Sequence, residues 1–574
     1  MKCFCKKDWD GYFYLVILMS IINMLYMHYQ ILWTIGLEFY IAKTTFLDNF
    51  FGVLVDLTLL FLLMLLITWG RIKYSAAATF VLTLLLSFSN VLYSRFFGQY
   101  LSYSALGQAG NLNDNVVIQS ILSELRVHDL YYLLTFVAFF GVMWLWRRRI
   151  VNKKHLTFFA SIWMVTLVLI VVTHSIYWYK GSFSRAIQTI FPSRSFCSPY
   201  PNWTTFHKGL MRTIVFDNLL YPVRRQVLTD AQRKLISVEY KNHVNRNTAH
   251  VVNREIQNVL FIIVESYLSV TSDLVVDGKE ITPYLNSLKR DSNVYYNGYM
   301  QSNAKIGKSS DGQFIYMTGL LPLRSEITVN YAKEDSLMGF PRLLKDFGIV
   351  NHTQILVPTS PSFWEQLSMN LVYGIDSMCA KYDDQDNKGG EDLPDEAIFR
   401  FARKLDAKRP PYSFSLLLTL SMHEPYDSSV EHGFHLNDDS LPLRYKNYLT
   451  TCHYFDQQIG KYIEHLKAEG HYDNSLIVIA ADHNVNPLFI EMEADEYQYL
   501  PLYIINGNID ESTCWKGICN QLDVYTTLLD ILGVDSEWRG LGHTLLKQDY
   551  HNSVTEKTWK LSEWIVLGDY FRQK

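Results

Sequence analysis

Three short segments carry residue types that can do chemistry together. Val264-Glu265-Ser266, Ser421-Met422-His423-Glu424 and Asp482-His483-Asn484 each close or follow a run of apolar, largely branched residues. Ligands in open α/β sheets bind beyond the carboxyl ends of the strands, so three ionisable exits from one sheet would face one site. Any one of them alone is equally a solvated strand exit. Together, Glu265, Asp482 and His483 form a reasonable ligand set for a single divalent cation. A fourth segment, residues 303–312, puts Ser309, Ser310 and Asp311 at the start of a helix that continues through Gln313-Phe314-Ile315. A hydroxyl at a helix N-terminus has free N–H groups and the positive end of the dipole beside it, which favours a phosphoryl or sulfuryl group. The plainer reading is an ordinary Ser or Asp cap. Lys308-Ser309-Ser310 is not a phosphate-binding P-loop, because the first glycine of that motif is missing at the required spacing.

These residues need a scaffold, and the second half of the chain supplies its pattern. The run Asn258-Val-Leu-Phe-Ile-Ile-Val is continuous, apolar and rich in β-branched residues, as a strand buried on both faces requires. Similar runs lie at 350–357, 412–420, 475–481 and 500–505. Between them, Thr282-Pro283 opens one helical pattern, 448–469 forms another that stops at Gly470, and 524–532 forms a third that ends at Gly533. Strands alternating with helices predict an α/β domain with a mostly parallel sheet.

The first half reads as a different solvent. Hydrophobic residues make up 49% of the 574 and charged residues only 19%, and nearly all the excess apolarity precedes about residue 180. Five runs, 12–29, 50–69, 76–93, 131–146 and 156–176, are long enough or nearly so to cross a bilayer as helices. The first is not followed by a small-residue cleavage site, so it is read as a span and not a removable signal. Lys2, Lys6 and Lys7, then Arg71 and Lys73, then Arg147, Arg148, Arg149, Lys153 and Lys154 fall on one side only if there are five spans. That side is the cytoplasm, and everything after about residue 180 is expected outside it. Asp56 stands inside the second span as a costly buried acid, serving either helix packing or function. Asn23 and His28 are expected to be interhelical or interfacial hydrogen bonders. Residues 181–250, with several prolines and then Arg212, Arg224, Arg225, Arg233 and Lys234, read as a juxtamembrane connector with amphipathic helices. The expected domains are therefore 1–180, 181–250 and 251–574. A net charge of −4 argues against nucleic acid as a partner, and seven cysteines are too few for a disulfide scaffold.

The ordered set of motifs on this topology resembles lipoteichoic acid synthase and, more broadly, the membrane-anchored phosphoglycerol and phosphoethanolamine transferases with a sulfatase-like domain of the alkaline phosphatase superfamily. The resemblance runs over nearly the whole chain. It implies that Glu265, Asp482 and His483 are metal ligands and that Ser309, in place of the family's threonine, is the nucleophile and also touches the metal. It implies that His423 contacts the substrate phosphate and that Trp364, in Phe363-Trp364-Glu365-Gln366, lines the headgroup pocket. Lys308, next to Ser309, is a further candidate phosphate contact. The implied cofactor is one divalent ion, Mn2+ first, with Mg2+ or Zn2+ as alternatives. The implied partners are a membrane phospholipid donor and a glycan or lipid acceptor, in the bacterial cell (inner) membrane with the C-terminal domain outside the cytoplasm. Two departures weaken the phosphoglycerol reading: Gln366 replaces an arginine and Val357 a pocket histidine. Of Cys379, Cys452, Cys514 and Cys519 in the outer domain, only the last two are close in sequence, which leans toward the less disulfide-rich lipoteichoic branch.

Two other readings share these residues. A hydrolase of the same fold would release the headgroup to water; a sulfatase would need Pro and Arg two and four places after its nucleophile, where Ser309 is followed by Ser310, Asp311, Gly312 and Gln313. A non-catalytic membrane scaffold is the third reading, invited by the altered pocket at Val357 and Gln366.

Overall fold

The computed structural model describes residues 11–34, 45–97, 121–147, 224–242 and 251–572, together with scattered positions between 100 and 213; within the last range 325, 384–391, 409, 425, 427–432, 486–489 and 491–498 fall outside the description. The chain divides into two compact units, Met1–Leu106 with Ile121–Val223 and Gly107–Ser120 with Arg224–Lys574.

In the first unit, four helices among the described residues are long and apolar enough to span a bilayer: Gly11–Thr34, Asn49–Ile67, Ile72–Arg95 and Val127–Trp146. They correspond to the first four expected spans. The fifth, at 156–176, lies largely outside the described residues. Aromatic contacts join the helices, Phe80 stacking on Phe139 at 4.3 Å and Phe13 meeting Phe61 edge-on. Their polar residues pair across helices. The Tyr131 hydroxyl donates to Asn23 Oδ1, and His28 Nδ1 meets the Tyr100 hydroxyl at 2.6 Å. Asp56 is fully buried against Gly209, where a Cβ would lie 2.5 Å from Asp56 Oδ1, so this acid sits at a helix-packing contact. A pair that the hydropathy pattern hides is Arg95 with Asp129, joined by two parallel 2.7 Å bonds and almost wholly buried. A bidentate pair is the geometry that best compensates such burial.

The second unit is built on an eight-stranded sheet with a separate two-stranded hairpin. The strands are β1 (Asn258–Val264), the hairpin β2 (Val275–Val276) and β3 (Lys279–Glu280), then β4 (Val294–Gln301), β5 (His352–Leu356), β6 (Ser377–Cys379), β7 (Ser413–Leu418), β8 (Ser475–Ala481), β9 (Tyr499–Ile505) and β10 (Cys519–Asn520). The large sheet runs β10-β4-β9-β8-β1-β7-β5-β6. Every neighbouring pair is parallel except β4–β9 and β8–β9, so β9 alone is reversed. All seven residues of β1 and all seven of β8 are buried, as central parallel strands require.

All five expected strands are present. Three others of the large sheet escaped the apolar-run criterion: β4 carries Asn297-Gly298 in its middle, where the register shifts, and β6 and β10 are short. The helix expected at 448–469 begins earlier, at Leu443, because Pro442 sits just before its first turn, where a missing N–H costs nothing. Within the expected connector, helix Asp230–Asn242 packs on helix Glu556–Leu567, with Lys557 paired to Glu239. Positions 177–204 and 243–250 are outside the described residues. Cys379, Cys452, Cys514 and Cys519 are all free thiols.

Candidate metal and nucleophile site

Because β1, β4, β5, β7, β8 and β10 share one direction, their carboxyl ends share one edge, and the chemistry-bearing segments leave from it. Glu265 follows β1, with its N–H donating to Thr419 Oγ1 beyond β7 at 3.1 Å. Asp482 follows β8, with its N–H donating to the Val264 carbonyl at 3.1 Å. Its Oδ1 accepts from the Ser266 and His483 N–H groups at 2.8 and 2.7 Å. These bonds tie the two strand exits together. One donor atom each from Glu265, Asp482 and His483 lies within 4.8 Å of the others, and all three residues are buried. His483 Nδ1 donates to the Asn484 carbonyl at 2.8 Å. A carbonyl only accepts, so this bond places a proton on Nδ1 and turns Nε2 toward the cluster.

Helix Ser309–Thr318 brings the nucleophile candidate. Ser309 Oγ lies 3.0 Å from Glu265 Oε2 and 3.2 Å from His483 Nε2. The turn before the helix is shaped by Asp311, whose Oδ2 accepts from the Lys305 and Gly307 N–H groups at 2.9 and 3.0 Å. Burial pushes that carboxyl up to about 6. Lys308 caps the helix at φ +47°, and its charge acts to lower the pKa of His483. The helix can sit this close to β8 only because Gly312 has no side chain: a Cβ there would fall 2.3 Å from the Asp482 carbonyl oxygen.

The electrostatics are those of a site short of positive charge. Burial raises the Glu265 carboxyl, but the hydrogen bond and charge of His483 outweigh it and hold it well below the usual carboxylate range. Asp482 is pushed up to about 7, by burial first and by the charge of Glu265 second. Burial lowers His483, yet Asp482 and Glu265 reverse this and bring it to about 9. Two buried carboxyls side by side cannot both ionise cheaply on their own; a dication would let them. Two carboxylates, an imidazole nitrogen and a hydroxyl, three kinds of hard to borderline donor, fit a divalent metal.

The remaining expected residues are placed less closely. His423 follows β7, and its Nδ1 donates to the Glu424 carbonyl at 2.7 Å. Its charge is felt at Glu265. Trp364 lies half-buried in a single 3-10 turn, Phe363–Glu365, beyond β5 on the same sheet edge. Trp364 and Glu365 both have positive φ, +50° and +55°, an uncommon conformation for bulky residues that concentrates at functional sites. Among the described residues no hydrogen bond joins Trp364 to the cluster. Gln366 is buried and its amide donates to Asn370 Oδ1; Val357 is buried too. Sequence reasoning missed the supports. Asp395 Oδ1 accepts from the Leu420 and Ser421 N–H groups at 2.9 and 3.0 Å, clamping the turn before His423. Gln521 Nε2 donates to the Asp482 carbonyl at 2.7 Å. Neither has a sequence signal, since both look like ordinary first-turn residues of their helices. Gly312, a glycine inside a helical pattern, did.

Comparison with known proteins meets this geometry from outside. The Sulfatase family matches residues 257–534, and the Lipoteichoic acid synthase N-terminal domain matches residues 1–187. Residues 257–534 thus match sulfatase-type domains, and the chain as a whole is similar to lipoteichoic acid synthases. It is 25% identical over 522 residues to lipoteichoic acid synthase 2 of Bacillus subtilis, covering 84% of this chain and 76% of that one. It is 24% identical over 501 residues to lipoteichoic acid synthase of Staphylococcus aureus (strain USA300), covering 83% and 75%. Among solved structures, the integral membrane lipooligosaccharide phosphoethanolamine transferase A of Neisseria meningitidis superposes with a TM-score of 0.56 at 14% identity, over 92% of this chain and 97% of that one. That match shares the fold: apolar helices followed by an α/β sulfatase-like domain.

Proposed function

We propose that this protein is a membrane-bound, metal-dependent transferase that moves the phosphoglycerol or phosphoethanolamine headgroup of a phospholipid to a glycan or lipid acceptor of the cell envelope, by way of a covalent intermediate on Ser309. The observation that carries the reading is the position of Ser309 Oγ, 3.0 Å from Glu265 Oε2 and 3.2 Å from His483 Nε2, at the N-terminus of a helix. The curated relatives are named for lipoteichoic acid synthesis, which agrees with it. Lysine and arginine in the short loops support a cytoplasmic face for those loops and an extracytoplasmic second unit.

Glu265, Asp482, His483 and Ser309 would hold a divalent cation, with Mn2+ favoured by the oxygen-rich set, and such an ion supplies positive charge that ionises a neighbouring hydroxyl near neutral pH and offsets phosphate charge. Ser309 Oγ attacks the phosphorus, and the bond from phosphorus to the diacylglycerol oxygen breaks. The departing oxygen takes a proton from His423 Nε2. Lys308 and the helix N-terminus neutralise the phosphoryl oxygens, the main protein contribution to phosphoryl transfer. An acceptor hydroxyl then attacks the phosphorus, gives its proton to His423 and displaces Ser309. Trp364 packs against the headgroup. The spans keep the site tethered to a two-dimensional pool of donor, raising its effective concentration.

Incubating the full chain in liposomes with labelled phosphatidylglycerol or phosphatidylethanolamine, followed by mass detection on the Ser309 peptide, tests this. The headgroup adduct should form with one donor, and the label should pass to acceptor. Ser309→Ala should lose both while its metal content stays unchanged. Turnover retained in Ser309→Ala overturns the nucleophile, and label found only in solution makes the protein a hydrolase.

A further inference from the structure

A second recess opens on the same sheet edge as the metal cluster, and its chemistry differs. It encloses roughly 320 Å³, within the range of about 300–1,000 Å³ typical of small-molecule sites. Gln301, Ser302 and Asn303 line it from the end of β4, Asn484 from the exit of β8, and Asn520 and Asn552 close it, with Val554 as the apolar contribution. Gln301 and Asn520 are register partners at the parallel ends of β4 and β10. β4 and β8 are separated only by β9, so their ends stand about 10 Å apart. Asn484 is therefore shared ground: it lines the recess directly after the candidate ligand His483, and its carbonyl orients that imidazole.

Among the described residues, no charged side chain lines the recess. A phosphate or carboxylate placed there would lose its hydration without a cationic partner. The lining instead offers carboxamides, each with an acceptor oxygen and a two-donor nitrogen, which is what neutral hydroxyls need since each hydroxyl both gives and takes. Part of the lining is set in advance. Asn303 Nδ2 donates to Asn520 Oδ1 at 3.2 Å, and Asn520 Nδ2 donates to the Tyr550 hydroxyl and to Asn552 Oδ1 at 3.0 and 2.9 Å. Asn303 and Asn520 are themselves buried. A buried, mutually bonded amide group holds its remaining donors and acceptors in fixed directions, the preorganisation that favours a specific ligand.

We propose that this recess binds an uncharged, hydroxyl-rich unit of the acceptor, a glycosyl or glycerol unit, and holds its free hydroxyl toward Ser309. This deepens the transferase reading and rests on it. The recess selects the second substrate, whereas Ser309 and the ligand cluster act on the first.

The test separates the two half-reactions in the full chain. Val554→Trp fills the recess from its rim, and Gln301→Leu, at an exposed position, removes one amide. In liposomes with labelled donor, each variant should transfer headgroup to acceptor more slowly by about tenfold or more, while adduct formation on Ser309 stays within about twofold of the parent. Saturation-transfer NMR with methyl β-glucoside, glycerol and inorganic phosphate as probes should show binding of one or both neutral probes to the parent, lost in Val554→Trp. Inorganic phosphate should not compete with them. Unchanged acceptor transfer in both variants, adduct formation falling in step with transfer, or displacement of the neutral probes by phosphate would each overturn the proposal. If the parent forms no adduct from any donor, the transferase reading fails, and the NMR experiment still decides what the recess binds.

Discussion

Gly312→Ala should damage catalysis although helix propensity alone predicts the opposite. Alanine inside a helix is normally worth about 0.5–1 kcal/mol over glycine. Here the added Cβ would lie 2.3 Å from the Asp482 carbonyl oxygen and 2.8 Å from its carbonyl carbon, where ordinary contact begins at 3.4 Å. The shortfall is about 1.1 Å, and the strand end cannot yield it easily: Gln521 holds that same carbonyl at 2.7 Å, and the Asp482 N–H is bonded to Val264. The helix must retreat instead, carrying Ser309 from its 3.0 Å contact with Glu265 to about 4 Å, beyond hydrogen-bond range. A 1 Å misplacement of a reacting group costs about 100-fold in rate, and overpacking costs about 1–3 kcal/mol in stability. Initial rates of headgroup transfer in liposomes, with metal content by mass spectrometry and thermal unfolding in detergent, measure both. Gly141→Ala is the control, because a Cβ there meets nothing within 4 Å. A Gly312→Ala protein that works within about threefold of the parent and unfolds no earlier would refute the close approach of helix and strand as the device that sets Ser309.

Other expectations follow from the same contacts. Asp395→Ala releases the turn before His423 and should slow transfer by about 10–100-fold with bound metal unchanged; the measurement is rate against metal content, and loss of the metal would show that Asp395 supports the cluster itself. In the metal-free protein Asp482 titrates at about 7 and His483 at about 9, so at pH 6 both carry protons that a cation must displace. Affinity for Mn2+ should therefore rise as pH climbs through 7 toward 9, with proton release visible by calorimetry in buffers of different ionisation heat; a flat profile contradicts the ligand set. Asp456 accepts from the Tyr284 and Leu285 N–H groups at 2.9 and 2.8 Å, so Asp456→Ala should destabilise the second unit by about 1–3 kcal/mol, read by denaturant unfolding. A change under about 0.5 kcal/mol would mean that water replaces the carboxylate.

The chain's own pattern determined its solvent, its elements and its reactive residue types. A span needs only length and apolarity, and a central parallel strand needs only a run buried on both faces, so helices Gly11–Thr34 and Val127–Trp146 and strands β1, β7 and β8 were readable from composition. The strand exits at Glu265, His423 and Asp482 were readable for the same reason: a polar residue ending an apolar run has to leave the sheet. Tertiary structure decided what local pattern does not encode. Strand order, with β9 reversed, set which exits stand beside one another. Pairing of Arg95 with Asp129, or of Asp395 with the turn at Leu420, depends on partners dozens of residues away, and no periodicity records such a meeting. Whether Ser309 is a cap or a nucleophile rests on the Asp482 carbonyl, 173 positions later, and the one missing side chain at residue 312 that lets the helix reach it, because distance in space, not residue type, makes a hydroxyl reactive.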